Sequence, residues 1–421
     1  MTGSAMAVGS QDSPAPPSAA QHMDYMDAAR SILIMLGVAL HASNIYAEDA
    51  NWLLNDADSR FCTLLSGFLH LFRMPAFFII AGFFCAYTLS KYTPARFLRV
   101  RMTRLVVPFL AAALILNGPQ ILVSQYVTLE GVRPLPRPLP LSFWLSSGWV
   151  YHLWFLLNLI IYFLLVVAVV ATPTARRSLG RLAAWVEPRL QPNLVTWLGL
   201  VVLPACVIES LHVLGWLVPT LHQDFLWFGP PLTLLYYAVF FVTGMILCRF
   251  RVLLDLFMRP GIAPVALLLV AAFTYVMLDP GRSVITKAAV DFAHALSVIL
   301  LCQWVLLLFK VFASRPSRTF HYLADASYSI YLFHHIVVVL TGVALLTLPL
   351  APVVELLIVT AVTVAVSLAI HHRVVLRVPL LRFLFNGKYE AARSAKAPVS
   401  VLVNARKDEH DAADGLVRAP G

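Results

Sequence analysis

Ten apolar runs dominate this chain, at about 28–47, 63–89, 104–126, 148–171, 195–217, 231–248, 262–280, 287–311, 325–348 and 351–373. Each is close to or above the ~17–25 residues that a helix needs to cross a ~30 Å hydrocarbon core. In lipid a segment must satisfy its own backbone N–H and C=O groups, so spans of this kind are helices or closed barrels, and the run lengths select helices. The expected fold class is an all-α polytopic membrane protein, a bundle of about ten transmembrane helices. Composition agrees: 60% of the residues are hydrophobic and only 12% are charged, whereas soluble domains carry about a quarter charged residues.

Charge sets the expected topology. With the N-terminus inside, Arg30, the segments Lys91 to Arg104, Arg176 to Arg189, Arg249 to Arg259 and Lys310 to Arg318, and the tail from Arg373 together hold 25 of the 31 Lys and Arg residues. The opposite loops hold five (Arg60, Arg133, Arg137, Arg282, Lys287), and Arg73 falls inside the second run. That asymmetry places both termini in the cytoplasm. The first outer loop is acidic, with Glu48, Asp49, Asp56 and Asp58. The net charge of +10 is dispersed between apolar runs, which argues against a nucleic-acid partner. Residues 1–22 read as a disordered extension without the basic n-region of a cleaved signal, 23–388 as the membrane domain, and 389–421 as a disordered cytoplasmic tail. The cysteines Cys62, Cys85, Cys206, Cys248 and Cys302 are scattered through apolar sequence and read as small core residues.

Two stretches are irregular. Asn117-Gly118-Pro119-Gln120 interrupts the third run, and broken backbone at membrane depth is tolerated only against protein or a water-filled cavity. Arg133 to Pro140 alternates proline with other residues and reads as a stiff outer loop.

Ionisable residues inside spans are functional candidates by default. Arg30 stands at the inner end of the first span, and His41 lies ~16 Å further along a helix, about half a bilayer. His70 and Arg73 are one turn apart on the second span, at a depth similar to His41. Arg73 is the sharpest case, because a guanidinium stays charged and needs an anion from the protein or a substrate. His334 and His335 fall mid-span, and adjacent positions on a helix point apart, so one of them is expected to face a cavity. His152 beside Trp154 suits an interfacial anchor as well as a substrate contact. Glu209 with His212, and Asp291 with His294, are pairs that can be satisfied within one helix. On the inner side Arg96, Arg99, Arg101 and Arg104 fall within nine residues; they fit lipid phosphates or a phosphorylated soluble donor. The sequence has no His-Glu-x-x-His or Cys/His cluster, no Gly-rich phosphate loop and no Gly-x-Ser-x-Gly elbow, so no metal is expected.

Arg30 followed by ten residues and His41, with Arg101-Met102-Thr103-Arg104 on the inner side, resembles the signature of the membrane-bound acyltransferase type 3 family. Further stretches extend the resemblance from Tyr25 to Lys388: Leu36-Gly37, His70-Leu71-Phe72-Arg73-Met74, His152-Leu153-Trp154-Phe155, Tyr331-Leu332-Phe333-His334-His335 and Arg377 to Lys388. It implies a multi-pass enzyme of the bacterial inner membrane that moves an acyl group from cytoplasmic acyl-CoA to a sugar hydroxyl outside, with no bound cofactor. In the most similar branch the donor is succinyl-CoA and the acceptor an osmoregulated periplasmic glucan, with other glucan-synthesis proteins as possible partners. The resemblance and the depths together assign His41, Arg30, Arg73 and His70 to catalysis, and Arg99, Arg101, Arg104, His334, His335, His152 and Trp154 to substrate binding. Alternatives that stay open are O-acetylation of another envelope polysaccharide, a covalent acyl-histidine intermediate and, in a different class, a proton-coupled transporter.

Overall fold

The computed structural model describes residues 24–48, 57–128, 131–132, 140–346 and 348–388. The expected N-terminal extension, the C-terminal tail, the proline-rich stretch over 133–139 and the loop acids Asp49 and Asp56 lie outside the described residues. Strand pairing among the described residues is confined to two short antiparallel segments, β1 (Val127–Thr128) and β2 (Gly131–Val132). All other regular structure is helical.

In chain order the helices are α1 (Asp24–Asn44), α2 (Arg60–Leu89), α3 (Pro94–Ala112), α4 (Gly118–Tyr126), α5 (Leu141–Leu145), α6 (Trp154–Ala171), α7 (Pro173–Val186), α8 (Leu194–Leu217), α9 (Pro231–Arg249), α10 (Arg251–Phe257), α11 (Ile262–Met277), α12 (Val284–Phe312), α13 (Arg318–Leu345), α14 (Pro352–Ile370) and α15 (Pro379–Asn386). Among the described residues nine helical segments are long and apolar enough to cross a membrane, and the pair α10–α11 supplies a tenth if it counts as one bent span.

Three local departures from the run boundaries have sequence causes. The run at 262–280 is preceded by α10, and the chain bends by 66° before α11. Pro260-Gly261 sits at that bend, where proline cannot continue the hydrogen-bond ladder and glycine offers no resistance. The arginine-rich stretch before the third span is helical, because Thr93 caps α3 by accepting from Arg96 N and Pro94 sits in its first turn. Arg96, Arg99, Arg101 and Arg104 are therefore held on a helix instead of a loop. The loop from Arg176 folds as α7, whose Leu179, Leu182 and Trp185 are exposed alongside its arginines, the pattern of a helix lying in a membrane interface. At Asn117 the third span does not break: a π turn over Ala113–Asn117 leads directly into α4.

α1 runs through the middle of the bundle, packed against α2, α12, α13 and α14, and α2 makes its most extensive contact with α9. That crossing is built on glycine. A Cβ on Gly82 would overlap the Phe241 carbonyl oxygen, and one on Gly244 would overlap that of Ile79. Small residues bring helices to backbone contact where lipid provides no hydrophobic drive for association. Cys62, Cys85 and Cys302 are buried as expected, whereas Cys206 is exposed on α8, where its helix face turns out of the bundle.

Gly82→Ala is expected to destabilise the protein, by about 1–3 kcal/mol for overpacking, despite alanine's better helix propensity. Gly67→Ala, on the same helix but with open space around its Cβ position, is expected to be neutral or slightly stabilising. Thermal unfolding in detergent reads both.

Candidate active site

The helices that meet around α1 bring four imidazoles together. His41 of α1 lies 5.3 Å from His334 and 4.8 Å from His335, ring centroid to centroid, both on α13. His152, in the short 3-10 turn before α6, lies 5.0 Å from His334 and stacks on His335 at 4.8 Å with a 10° interplanar angle. His152, His334 and His335 are buried. The expectation that only one of His334 and His335 would face the site is thereby corrected. Their side chains diverge, and His41 and His152 fill the angle between them, so both rings touch both neighbours.

Backbone and side-chain bonds fix the tautomers on α13. His334 Nδ1 lies 2.7 Å from the Tyr331 carbonyl oxygen and 3.1 Å from that of Ile330. A carbonyl only accepts, so Nδ1 carries the proton and Nε2 is the basic nitrogen. Likewise His335 Nδ1 donates to Gln120 Oε1 at 2.9 Å. Gln120 is placed by the π turn: Asn117 at its end is buried and donates to the carbonyls of Trp149 and Val150 at 3.0 and 3.1 Å, which anchors α4 to the loop carrying His152. The Tyr331 hydroxyl donates to the His152 carbonyl at 2.7 Å. Neither ring nitrogen of His152 has a hydrogen-bond partner, nor does His334 Nε2. Buried polar atoms without partners are rare in stable cores and mark places where a substrate atom can be received.

Arg73 adds a charge to this group. Its guanidinium lies against Gly37, one turn before His41, so closely that a Cβ there would overlap Nη1. Gly37 is thus a space requirement of the arginine. Arg73 is in electrostatic range of His41, Tyr237 and Tyr331. Among the described residues it has no ion pair, and its Nε has no hydrogen-bond partner.

Toward the end of the bundle that carries Arg101 and Arg104 opens a cavity of ≈ 370 Å³. Its apolar wall includes Ile34, Phe77, Phe155 and Tyr328. These belong to the helices that bear His41, Arg73, His152 and the His334–His335 pair, one or two turns closer to the basic end. At ~1.5 Å rise per residue the cavity therefore starts within about 10 Å of the imidazoles. Phe77 and Phe155, 4.8 Å apart, stand between the two. The cavity mouth is lined by Arg30, Arg101, Arg104, His321, Asp325, Asn386 and Lys388. Arg30 pairs with Asp27 at 3.1 Å, and Arg101 Nη2 donates to Thr88 Oγ1 at 2.9 Å.

Lys388, which pairs with Asp325, escaped the sequence reading as a site residue although it ends a family-like stretch. Its place depends on the docking of α15. Gly387 adopts a left-handed φ of 57° where a Cβ would come within 2.6 Å of Arg104 Cα. Asn386 accepts from Ser329 Oγ at 3.1 Å, and Ser329 in turn contacts His371 Nδ1 at 2.9 Å.

Other expected residues are not gathered here. His70 is exposed on α2 and makes no ring contact with the imidazole cluster; Arg99 is exposed on α3 and does not line the cavity. Trp154 packs against Tyr237 at 5.1 Å and Phe78 at 6.3 Å and does not line the cavity. The pairs on α8 and α12 are not confined to their own helices. Ligand atoms of Glu209, His212 and Asp291 lie within 4.8 Å of one another. Lys287 Nζ, 3.4 Å from Asp291, supplies positive charge beside them, while His294 faces Tyr275 at 5.3 Å.

The family model described as an acyltransferase domain matches residues 23–372. Among curated relatives, Glucans biosynthesis protein C of Escherichia coli O6:K15:H31 (strain 536 / UPEC) is 27% identical over 403 residues, covering 91% of this chain and 99% of the relative. The protein of the same name from Escherichia coli (strain K12) is 27% identical over 406 residues with the same coverage. No solved structure matches this chain. With the family model spanning every element of the histidine cluster and most of the cavity wall, the chain belongs to the acyltransferase 3 family and is a membrane-embedded acyltransferase.

Proposed function

We propose that this enzyme transfers an acyl group, succinyl in its main reaction, from acyl-CoA on the cytoplasmic side to a glucosyl hydroxyl of a periplasmic glucan. The observation that carries this reading is the alignment of a basic cavity with a cluster of imidazoles on α1, α13 and the turn before α6, whose helices also line that cavity. A soluble, polyphosphorylated donor fits the mouth, where Arg30, Arg101, Arg104 and Lys388 converge; arginine binds phosphate oxygens in bidentate fashion. A thin thioester arm fits the apolar passage past Phe77 and Phe155. The basic mouth faces the cytoplasm by the charge asymmetry of the loops, and the names of the relatives supply the glucan.

In the proposed reaction His41 removes the proton from the glucosyl hydroxyl as its oxygen attacks the thioester carbonyl carbon. The tetrahedral adduct then expels the coenzyme A thiolate, which takes the proton from the imidazolium, leaving an ester on the glucan and free coenzyme A. A neutral imidazole offers a ring nitrogen that can accept this proton. The His334 and His335 rings, with Nδ1 tied to oxygen acceptors, hold the position of His41 and of the incoming hydroxyl. Arg73 binds the distal carboxylate of the succinyl group or stabilises the oxyanion. His70 and Arg99 stay outside this scheme.

His41→Ala is expected to lower glucan acylation by about 10²–10⁴-fold, the usual yield of a general base, with the KM for acyl-CoA little changed. Membrane vesicles given labelled succinyl-CoA and glucan provide the measurement, and full activity in the variant would remove His41 from the chemistry. Arg73→Gln should cost succinyl transfer far more than acetyl transfer if the guanidinium reads the carboxylate; equal losses leave only the oxyanion role. Arg101→Gln and Lys388→Gln are each expected to raise the KM for succinyl-CoA several-fold while leaving that for succinyl-pantetheine, which lacks the nucleotide phosphates, unchanged. Parallel kinetics with the two donors decide it.

A further inference from the structure

At the opposite end of the bundle from the basic mouth, two loops carry a group of tryptophans. Trp144 and Trp149 lie on either side of the turn after α5, and Trp227 lies in a 3-10 turn between α8 and α9. The ring centroids of Trp149 and Trp227 are 5.9 Å apart, those of Trp144 and Trp149 6.4 Å. Both Trp149 Nε1 and Trp227 Nε1 donate to the carbonyl oxygen of Trp144, at 3.0 and 2.8 Å. The loops are tied a second time by Asp224, whose Oδ2 accepts from Ser147 N at 2.9 Å and Ser147 Oγ at 2.6 Å. The ring positions are therefore fixed before any ligand arrives, and two indole N–H groups are already used.

What the group leaves available is aromatic face. Trp144 and Trp227 are 43% and 42% exposed. The indole face is electron-rich and attracts the weakly positive C–H groups on the flat side of a pyranose ring, the ordinary way in which tryptophan holds a sugar. A membrane-belt tryptophan uses its N–H toward the headgroups; here the N–H groups of Trp149 and Trp227 are turned inward.

The group is also continuous with the imidazole cluster. From Trp149 the chain passes through Val150, whose carbonyl Asn117 holds, to Tyr151, whose ring lies 5.6 Å from His335. Tyr151 has φ 49°, and Leu226, beside Trp227, has φ 53°; among the described residues these are the only non-glycine positions with positive φ. Such conformations are strained and persist where the surroundings impose them, often at functional sites. Both fall in the two loops that present the tryptophans.

We infer that Trp144, Trp149 and Trp227 form a carbohydrate-binding platform that seats sugar residues of the acceptor next to the one being acylated, with Tyr151 guiding the chain toward His335 and His41. The inference rests on the proposed glucan acceptor and adds the surface that holds it. A platform beyond the reacting sugar implies that acceptor length matters: a long glucan gains from stacking, whereas a single glucose does not reach it.

Binding of glucan oligosaccharides to the full-length protein in detergent, measured calorimetrically without donor, tests the platform. Wild type is expected to bind longer oligosaccharides more tightly than glucose. Trp227→Leu and Trp144→Leu should weaken oligosaccharide binding by about tenfold, while Trp227→Phe, which keeps a ring, retains most of it; a lipid-anchoring role would be served by leucine as well. In turnover, the leucine variants should raise the KM for oligosaccharide with the KM for succinyl-CoA unchanged, and unchanged thermal midpoints exclude a folding defect. Trp185→Leu, on α7 at the other end, is the control and should match wild type. Leucine variants that bind glucan as wild type does, or a wild type that binds none, overturn the platform. Oligosaccharide binding that depends on the tryptophans, in a protein that acylates no glucan from acyl-CoA, leaves the platform standing and overturns the proposed reaction instead.

Discussion

A guanidinium that cannot shed its proton lies in the centre of this bundle, among imidazoles and tyrosines and without a carboxylate partner in the described structure. Much of the surrounding architecture answers to it. Gly37 clears the space for it, which allows α1 and α2 to approach closely at that level. Pro75 follows in the same helix, where a missing backbone N–H leaves a carbonyl one turn earlier to find another donor. Burial of an uncompensated cation is expensive, and this chain nonetheless carries Arg73 inside its second span. The cost is rational if the charge is neutralised during each catalytic cycle by a carboxylate or an oxyanion that arrives with substrate.

The same reasoning applies to the histidines. His152 offers two buried nitrogens without partners and His334 offers one. In a soluble core such groups cost about 1–3 kcal/mol each. Protein donors are spent instead on orientation: Tyr331 on the His152 carbonyl, Gln120 on His335, and the α13 backbone on His334. The cluster is held at the His152 carbonyl and at Nδ1 of His334 and His335, and left unsatisfied at His334 Nε2 and the His152 ring. That division holds the rings in place while leaving buried nitrogens to receive a substrate atom.

The helices were legible in the sequence because run length is a local quantity. Arg30, His41 and the inner arginines were legible for the same reason, being spaced along single helices. What could not be read is what depends on azimuth. The residues that form the imidazole cluster and its supports, His41, Asn117, Gln120, His152, Tyr331, His334 and His335, come from α1, the π turn and α4, the turn before α6, and α13, and the rotation of each helix about its axis leaves no trace in span length. His334 and His335 look mutually exclusive on a helical wheel, and become joint neighbours of His41 only once His152 enters from another segment. His70 is the converse case: one turn from Arg73 and within its electrostatic reach, it is exposed on α2 and makes no ring contact with the cluster. Lys388 was missed because a short helix after the last span, docked by Gly387 onto Arg104, carries it back to the cavity.

The glycine crossing of α2 and α9 gives the site its stiffness. Gly82 lies about 13 Å along α2 from Arg73 at helical rise, and between them Phe78 packs on Tyr237 of α9 at 4.9 Å and on Phe155 of α6 at the same distance. Backbone-to-backbone contact leaves little freedom for sliding, since any shift must drive Gly82 or Gly244 into a carbonyl oxygen. Arg73 is thereby fixed relative to α9 and α6, while α1 is fixed to Arg73 through Gly37. A bundle in lipid lacks the hydrophobic pressure that tightens a soluble core, so close helix contacts have to supply the rigidity that a transfer between two fixed substrates demands.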